Sequence, residues 1–139
     1  MCTVFATFAP FLTLPQKLGG YRFALPELNQ RIALPKSIRK YFSKAYYACD
    51  LYWPDQKIAV EYDSDQFHTG SDRIANDSNK RNALASIGIQ VVSVTRQQLY
   101  NSKELESVAQ TVAKQMSRRL QLNRDSFLST HRALRRELL

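Results

Sequence analysis

Three carboxylates stand close together in YYACDLYWPDQKIAVEYD, residues 46–63: Asp50, Glu61 and Asp63. The stretch is rich in Tyr, Val and Ile on either side of Pro54-Asp55-Gln56, the pattern of two strands (45–53 and 57–63) joined by a turn. With the turn centred on Asp55 and Gln56, residues 50 and 61 face each other, and directly opposed Cβ atoms lie about 5 Å apart. Alternation then places Glu61 and Asp63 on one face of their strand, and Val60 and Tyr62 on the other. Like charges gathered beside the apolar run Ile58-Ala59-Val60 raise one another's pKa. A hard divalent cation with oxygen ligands would neutralise them. In that chemistry Asp50 and Glu61 are ligands, and Asp63 is a third ligand or a base that orients water.

The elements that must hold these residues follow from the punctuation of the chain. Pro15, Gly19-Gly20, Pro26 and Pro35 leave no room for a long helix in the first third. A short helix starting at Pro26 and running through Glu27, Leu28 and Ile32 fits, with a further helical turn over 37–42. After the two strands, 64–70 is polar and loop-like. Residues 71–87 read as a helix with Ile74, Leu84 and Ile87 on its apolar face, closed by Gly88. IQVVSVT (89–95) is a strand covered on both faces. A helix capped by Ser102 follows, with an apolar stripe of Leu105, Val108, Val112, Met116 and Leu120. A break near 123–125 leads into a basic helix carrying Phe127, Leu128 and Leu134. The class is therefore α/β with a small mixed sheet, and the step from 57–63 through a helix to 89–95 predicts a right-handed crossover.

The 139 residues suit a single domain over 1–139, with a core of about 26–121, an apolar segment 1–16 and a basic helical tail 122–139. Cys2 and Cys49 are the only cysteines, too few for a zinc site or a disulfide framework, which points to a reducing, cytoplasmic setting. The apolar opening lacks a basic n-region, is interrupted by Pro10 and is too short to span a bilayer. It suits burial, self-association or a partner chain, with a signal peptide as the second reading. Charge is unevenly spread: 17–44 carries +6, 45–80 carries −4 and 114–139 carries +5, within a net +8. An acidic centre between basic ends suits a polyanion bound beside a cation. The basic helices also suit plain solvation of a polar face.

The spacing of Asp50 and Glu61-Tyr62-Asp63 resembles the D…(D/E)-x-K signature of the PD-(D/E)XK nuclease superfamily. It is closer to the very-short-patch-repair-like (Vsr-like) endonucleases. Residues 50–54 read DLYWP, 58–63 read IAVEYD and 65–68 read DQFH; Asp77, Lys80-Arg81, Leu84, Gly88 and VVSV at 91–94 follow in the family's order. The resemblance covers about 45–96. It implies a restriction-endonuclease-like αβββαβ core with added C-terminal helices. The implied activity is a metal-dependent DNA endonuclease that hydrolyses phosphodiester bonds directly, with Mg²⁺ (or Mn²⁺ in its place) on Asp50 and Glu61; the residues' own chemistry adds Asp63 as a third ligand or a water-orienting base. Three departures stand out: Asp63 occupies the superfamily's lysine position, Ser64 replaces the usual Gly, and His68 lies one residue late.

The missing cation would come from Lys80 or Arg81 on the following helix, and His68 is a candidate proton shuttle or an ordinary hydrogen-bonded surface residue. Glu27 is a candidate further ligand, or a first-turn acid stabilised by a helix dipole. Tyr46, Tyr47, Tyr52, Tyr62 and Trp53 are candidates for base stacking or for core. Arg81, Arg96, Arg118, Arg119 and Arg124 are candidate phosphate contacts, with Arg132, Arg135 and Arg136 further along the tail. Two other readings compete: an inactive nuclease fold that only binds nucleic acid, and the C-terminal part of a defence or toxin–antitoxin protein acting through a partner.

Overall fold

The computed structural model describes residues 4–63 and 70–139. They form two compact units, one of Pro26–Arg96 and one of Met1–Leu25 with Gln97–Leu139. The class is α/β, with a four-stranded mixed sheet and several helices.

The sheet lies in the 26–96 unit. Strands β1 (Glu27–Ala33), β2 (Tyr46–Trp53), β3 (Ile58–Asp63) and β4 (Gln90–Thr95) are ordered β1-β2-β3-β4. The first three pair antiparallel, and β3 and β4 pair parallel from Ile58↔Gln90 to Asp63↔Thr95. A parallel neighbour requires a crossover, here α3 (Ser71–Ser86). It is closed by Gly88, whose φ of 83° is the left-handed geometry of a helix stop. The Ile89 amide then returns to the Leu84 carbonyl at 2.8 Å. Between β2 and β3, Pro54 opens the turn, and Lys57 closes it with φ 56° and an amide bond to the Pro54 carbonyl at 3.2 Å.

The helix expected from Pro26 is a strand instead. Residues 27–33 are bracketed by Pro26 and Pro35, and Leu28 and Ile32 pair with Leu51 and Tyr47 of β2. That pairing outweighs a weak local helix preference. Glu27 is consequently a strand-end residue, not a first-turn acid. The expected helical turn over 37–42 is the short α2 (Lys36–Arg39). In α3 only Ala83 and Leu84 are buried, and Ile74, expected on the apolar face, is 59% exposed. Leu84 packs with Leu34, Tyr47, Cys49, Ala59, Ala83 and Ile89 in a core between helix and sheet.

The other unit contains α1 (Val4–Thr13), a 3-10 turn (Gln16–Leu18), most of α4 (Arg96–Tyr100), α5 (Ser102–Gln115) and α6 (Arg124–Leu138). The ten-residue α1, which contains Pro10, is a helix not anticipated from the sequence. Its Phe8, Phe11 and Leu12 are buried. Asn101, not Ser102, caps α5, its side chain accepting from the Lys103 and Glu104 amides at 3.0 and 3.2 Å. Leu105, Val108 and Val112 are buried as their spacing predicts, whereas Met116 and Leu120 lie beyond the helix end. His131 of α6 is also buried, ringed by Phe11, Tyr21 and Phe127, with its Nδ1 2.8 Å from the Gly19 carbonyl. No helix among the described residues is long and apolar enough to cross a membrane.

Candidate active site

Asp50 marks an irregularity in β2. Tyr47 and Cys49 belong to the α3-side core, and Tyr52 packs against the same cluster. Strict alternation would put 49 and 52 on opposite faces, so the side-chain phase slips at Asp50. The neighbouring strand shows the same break: Asn29 has φ 51°, and pairing steps from Leu28↔Leu51 to Gln30↔Cys49 across it. The β2–β3 partners begin at Leu51↔Val60, one position inside the expected Asp50–Glu61 pair. There the Asp50 side chain takes part in the pairing, its Oδ2 accepting the Tyr62 amide at 2.8 Å. The slip thus holds the carboxylate against the backbone of β3.

Glu61 and Asp63 follow the run Ile58-Ala59-Val60, which is buried at 0–1% exposure. Each meets a cation from α3. Lys80 Nζ pairs with Glu61 Oε1 and also donates to the Ala48 carbonyl. Arg73 donates to Asp63 Oδ1 at 3.2 Å. Burial pushes the Glu61 carboxyl above its ordinary range; Lys80 and Arg81 pull it back, and Asp50 raises it further. Arg81 donates to the Val91 carbonyl at 3.0 Å and to the Ser93 hydroxyl on β4. These groups line a cavity of about 80 Å³ whose walls include Glu61, Asp63, Arg73, Asp77, Arg81 and Ser93.

The structure therefore brings Asp50, Glu61, Asp63, Lys80 and Arg81 into one region, and it supplies amino-acid cations where the spacing alone had asked for a metal. Among the described residues, no three His, Cys, Asp or Glu side chains are gathered as a metal-binding group. The donors still suit a hard divalent ion. They are carboxylate oxygens on adjacent strands, and Glu61 is dehydrated enough that added positive charge favours its ionised form. His68, with Ser64 and Asp65, lies outside the described residues.

Of the other candidates, Arg118 donates to the Arg22 carbonyl at 2.8 Å and lies over the Phe23 ring at 5.2 Å. Arg124 pairs with Glu106 at 3.2 Å, and Arg119 is exposed; all three belong to the helical unit. Arg96 opens α4. Tyr47 and Trp53 are core residues, Tyr46 is 46% exposed and Tyr52 and Tyr62 are half-buried. Arg73 was not anticipated. Its signal is helical: positions 73, 77, 80 and 81 fall on one face of α3, a polar stripe aimed at the acids of β3.

No family model matches the chain, and no curated protein or solved structure does either.

Proposed function

We propose that the chain is a metal-dependent DNA endonuclease of the PD-(D/E)XK type, with a restriction-endonuclease-like core. The observation that carries the reading is the Glu61–Lys80 pair beside Asp50: two acids on adjacent antiparallel strands, with a lysine delivered to the second acid by the crossover helix. Within the 26–96 unit the chain order β1, β2, β3, α3, β4, with the short α2 between β1 and β2, suits the βββαβ part of such a core.

In this mechanism Asp50 and Glu61 would hold Mg²⁺, with Asp63 as a further oxygen donor. The chemistry such an ion would supply there is activation of a water and shielding of charge on the scissile phosphate. Lys80 keeps Glu61 ionised by opposing the effect of its burial. Arg81, fixed by Ser93 and the Val91 carbonyl, places positive charge beside the acids for a phosphate. Hydrolysis is direct. Cys49, the described thiol nearest the acids, is buried with its pKa pushed up to about 11, so it is a poor nucleophile.

The ion pairs on both Glu61 and Asp63 favour a second reading, in which the acids are structural and the fold only binds nucleic acid. One experiment separates the two. Supercoiled plasmid is incubated with Mg²⁺, Mn²⁺ or EDTA and with the wild type, Asp50→Asn or Glu61→Gln. Metal-dependent nicking lost in both variants supports the enzyme. Salt-sensitive DNA binding without nicking in any metal selects the binding module.

A further inference from the structure

A second cavity adjoins the acids. It measures about 530 Å³ and is lined by Lys44, Tyr46, Tyr47, Asn76, Asp77 and Lys80. Asp77 also lines the smaller cavity, and Lys80 bonds Glu61, so the two spaces flank the Lys80–Glu61 pair. A volume of this size falls in the roughly 300–1,000 Å³ range of small-ligand sites. Its walls combine three chemistries. Tyr46 is an exposed strand tyrosine, with the Arg31 guanidinium 5.0 Å from its ring centroid. Lys44 and Lys80 supply ammonium groups, Lys44 lying 5.7 Å from the Tyr47 ring centroid. Asn76 and Asp77 offer an amide and a carboxylate from α3. The hydroxyl of Tyr47, a residue only 4% exposed, has no hydrogen-bond partner among the described residues.

From this combination we infer that the larger cavity takes one unpaired nucleotide of a DNA strand, next to the phosphate held at the acids. A ring to stack on, the Lys44 ammonium for the backbone and polar groups for a base edge are what a single-strand site requires. A paired base cannot enter, because its face is stacked and its edge is occupied inside the duplex. The substrate class is therefore single-stranded or locally unpaired DNA. The inference rests on the nuclease reading for its neighbouring phosphate, but the cavity stands on its own residues.

The test is binding of a single strand carrying 2-aminopurine, in EDTA, beside the same strand fully paired. The proteins are the wild type, Tyr46→Ala, Tyr46→Phe and Asn76→Ala. The wild type is expected to quench the fluorophore and to bind the single strand at least tenfold more tightly than the duplex. Tyr46→Ala should lose the quenching and about tenfold in affinity, while Tyr46→Phe keeps both, since stacking needs the ring alone. Asn76→Ala should weaken binding and leave the quenching in place. Equal affinity for both DNA forms, or full quenching by Tyr46→Ala, overturns the assignment. The outcome is separable from that of the nuclease reading. Metal-dependent cutting of duplex unaffected by Tyr46→Ala removes the pocket and leaves the enzyme. Quenching that depends on Tyr46, without cutting in any metal, removes the enzyme and leaves the pocket.

Discussion

Replacing Lys80 by Met removes the cation from Glu61 but keeps most of the aliphatic volume. Both side chains are only about one-fifth exposed, at 20% and 21%, so this is not a solvent-screened surface pair. Breaking a fully buried pair costs about 3–5 kcal/mol, and partial exposure brings the expected loss nearer 2 kcal/mol at pH 7. Trp53, the chain's single tryptophan and 2% exposed in the 26–96 unit, reports unfolding in urea. Adding Glu61→Gln to Lys80→Met should recover part of the loss, with a coupling of about 1–2 kcal/mol. The pH dependence is the sharper test. A carboxyl whose folded pKa lies above its ordinary 4.5 binds its proton more tightly when folded. Its contribution is therefore full below 4.5 and declines as pH rises through the folded value. Lys80 limits that decline in the wild type, and Lys80→Met does not. The stability gap between the two should then narrow as pH falls from 7 towards 4.5. A gap that is constant with pH, or a double variant no better than Lys80→Met, would refute the assignment of Glu61 as a dehydrated carboxylate held by Lys80.

Two further outcomes are expected. His131 is buried with its pKa lowered, first by desolvation and then by Arg135, against the Gly19 carbonyl and Glu106, which raise it. The unfolded chain thus takes up a proton first, and stability present above pH 6.5 should fall below it by up to about 1.4 kcal/mol per pH unit. Circular-dichroism melts should show this in the wild type and a shallower slope in His131→Gln; equal slopes would remove His131 as the cause. Leu84, fully buried between α3 and the sheet, should cost about 2–5 kcal/mol as Leu84→Ala in the Trp53-monitored titration, and a loss under 1 kcal/mol would contradict its central place in that core.

The strands that carry the acids were legible because their signals are local. β-branched and aromatic residues flank a proline turn, and β4 is an apolar run, although as the edge strand it buries only Val94 fully and is not covered on both faces as expected. β1 was not legible. ELNQRIA has little β-character of its own, and it becomes a strand because β2 offers an edge. Local pattern yielded two strands before the crossover helix, and β1 is a third. The slip at Asp50 was hidden for a related reason. Alternation is the rule by which a sequence is read, so a position where the phase breaks reads as regular until its neighbours are seen packing. Lys80 was anticipated as a replacement cation, but its attachment to Glu61 and the arrival of Arg73 at Asp63 depend on how α3 lies across the sheet.

That placement bears on Asp63, which stands where the resembled superfamily keeps a lysine. A lysine on β3 two residues after Glu61 would set its charge on the same strand face as the acid. Here the strand carries a second acid instead, and α3 supplies Lys80 to Glu61 and Arg73 to Asp63. In this chain the positive charge comes from the helix, with one cation at each carboxylate. The two partners differ in what they can release. Arg73 and Asp63 are 38% and 37% exposed, so their pair is screened and opens at little cost. Lys80 is held by Glu61 and by the Ala48 carbonyl together, and leaves less readily. In the proposed enzyme, Asp63, the more exposed of the two acids, would orient water or add an oxygen ligand, while Glu61 keeps its lysine beside the reacting phosphate. Removing Arg73 should then cost little stability and leave metal-dependent cutting measurable, whereas removing Lys80 should abolish it.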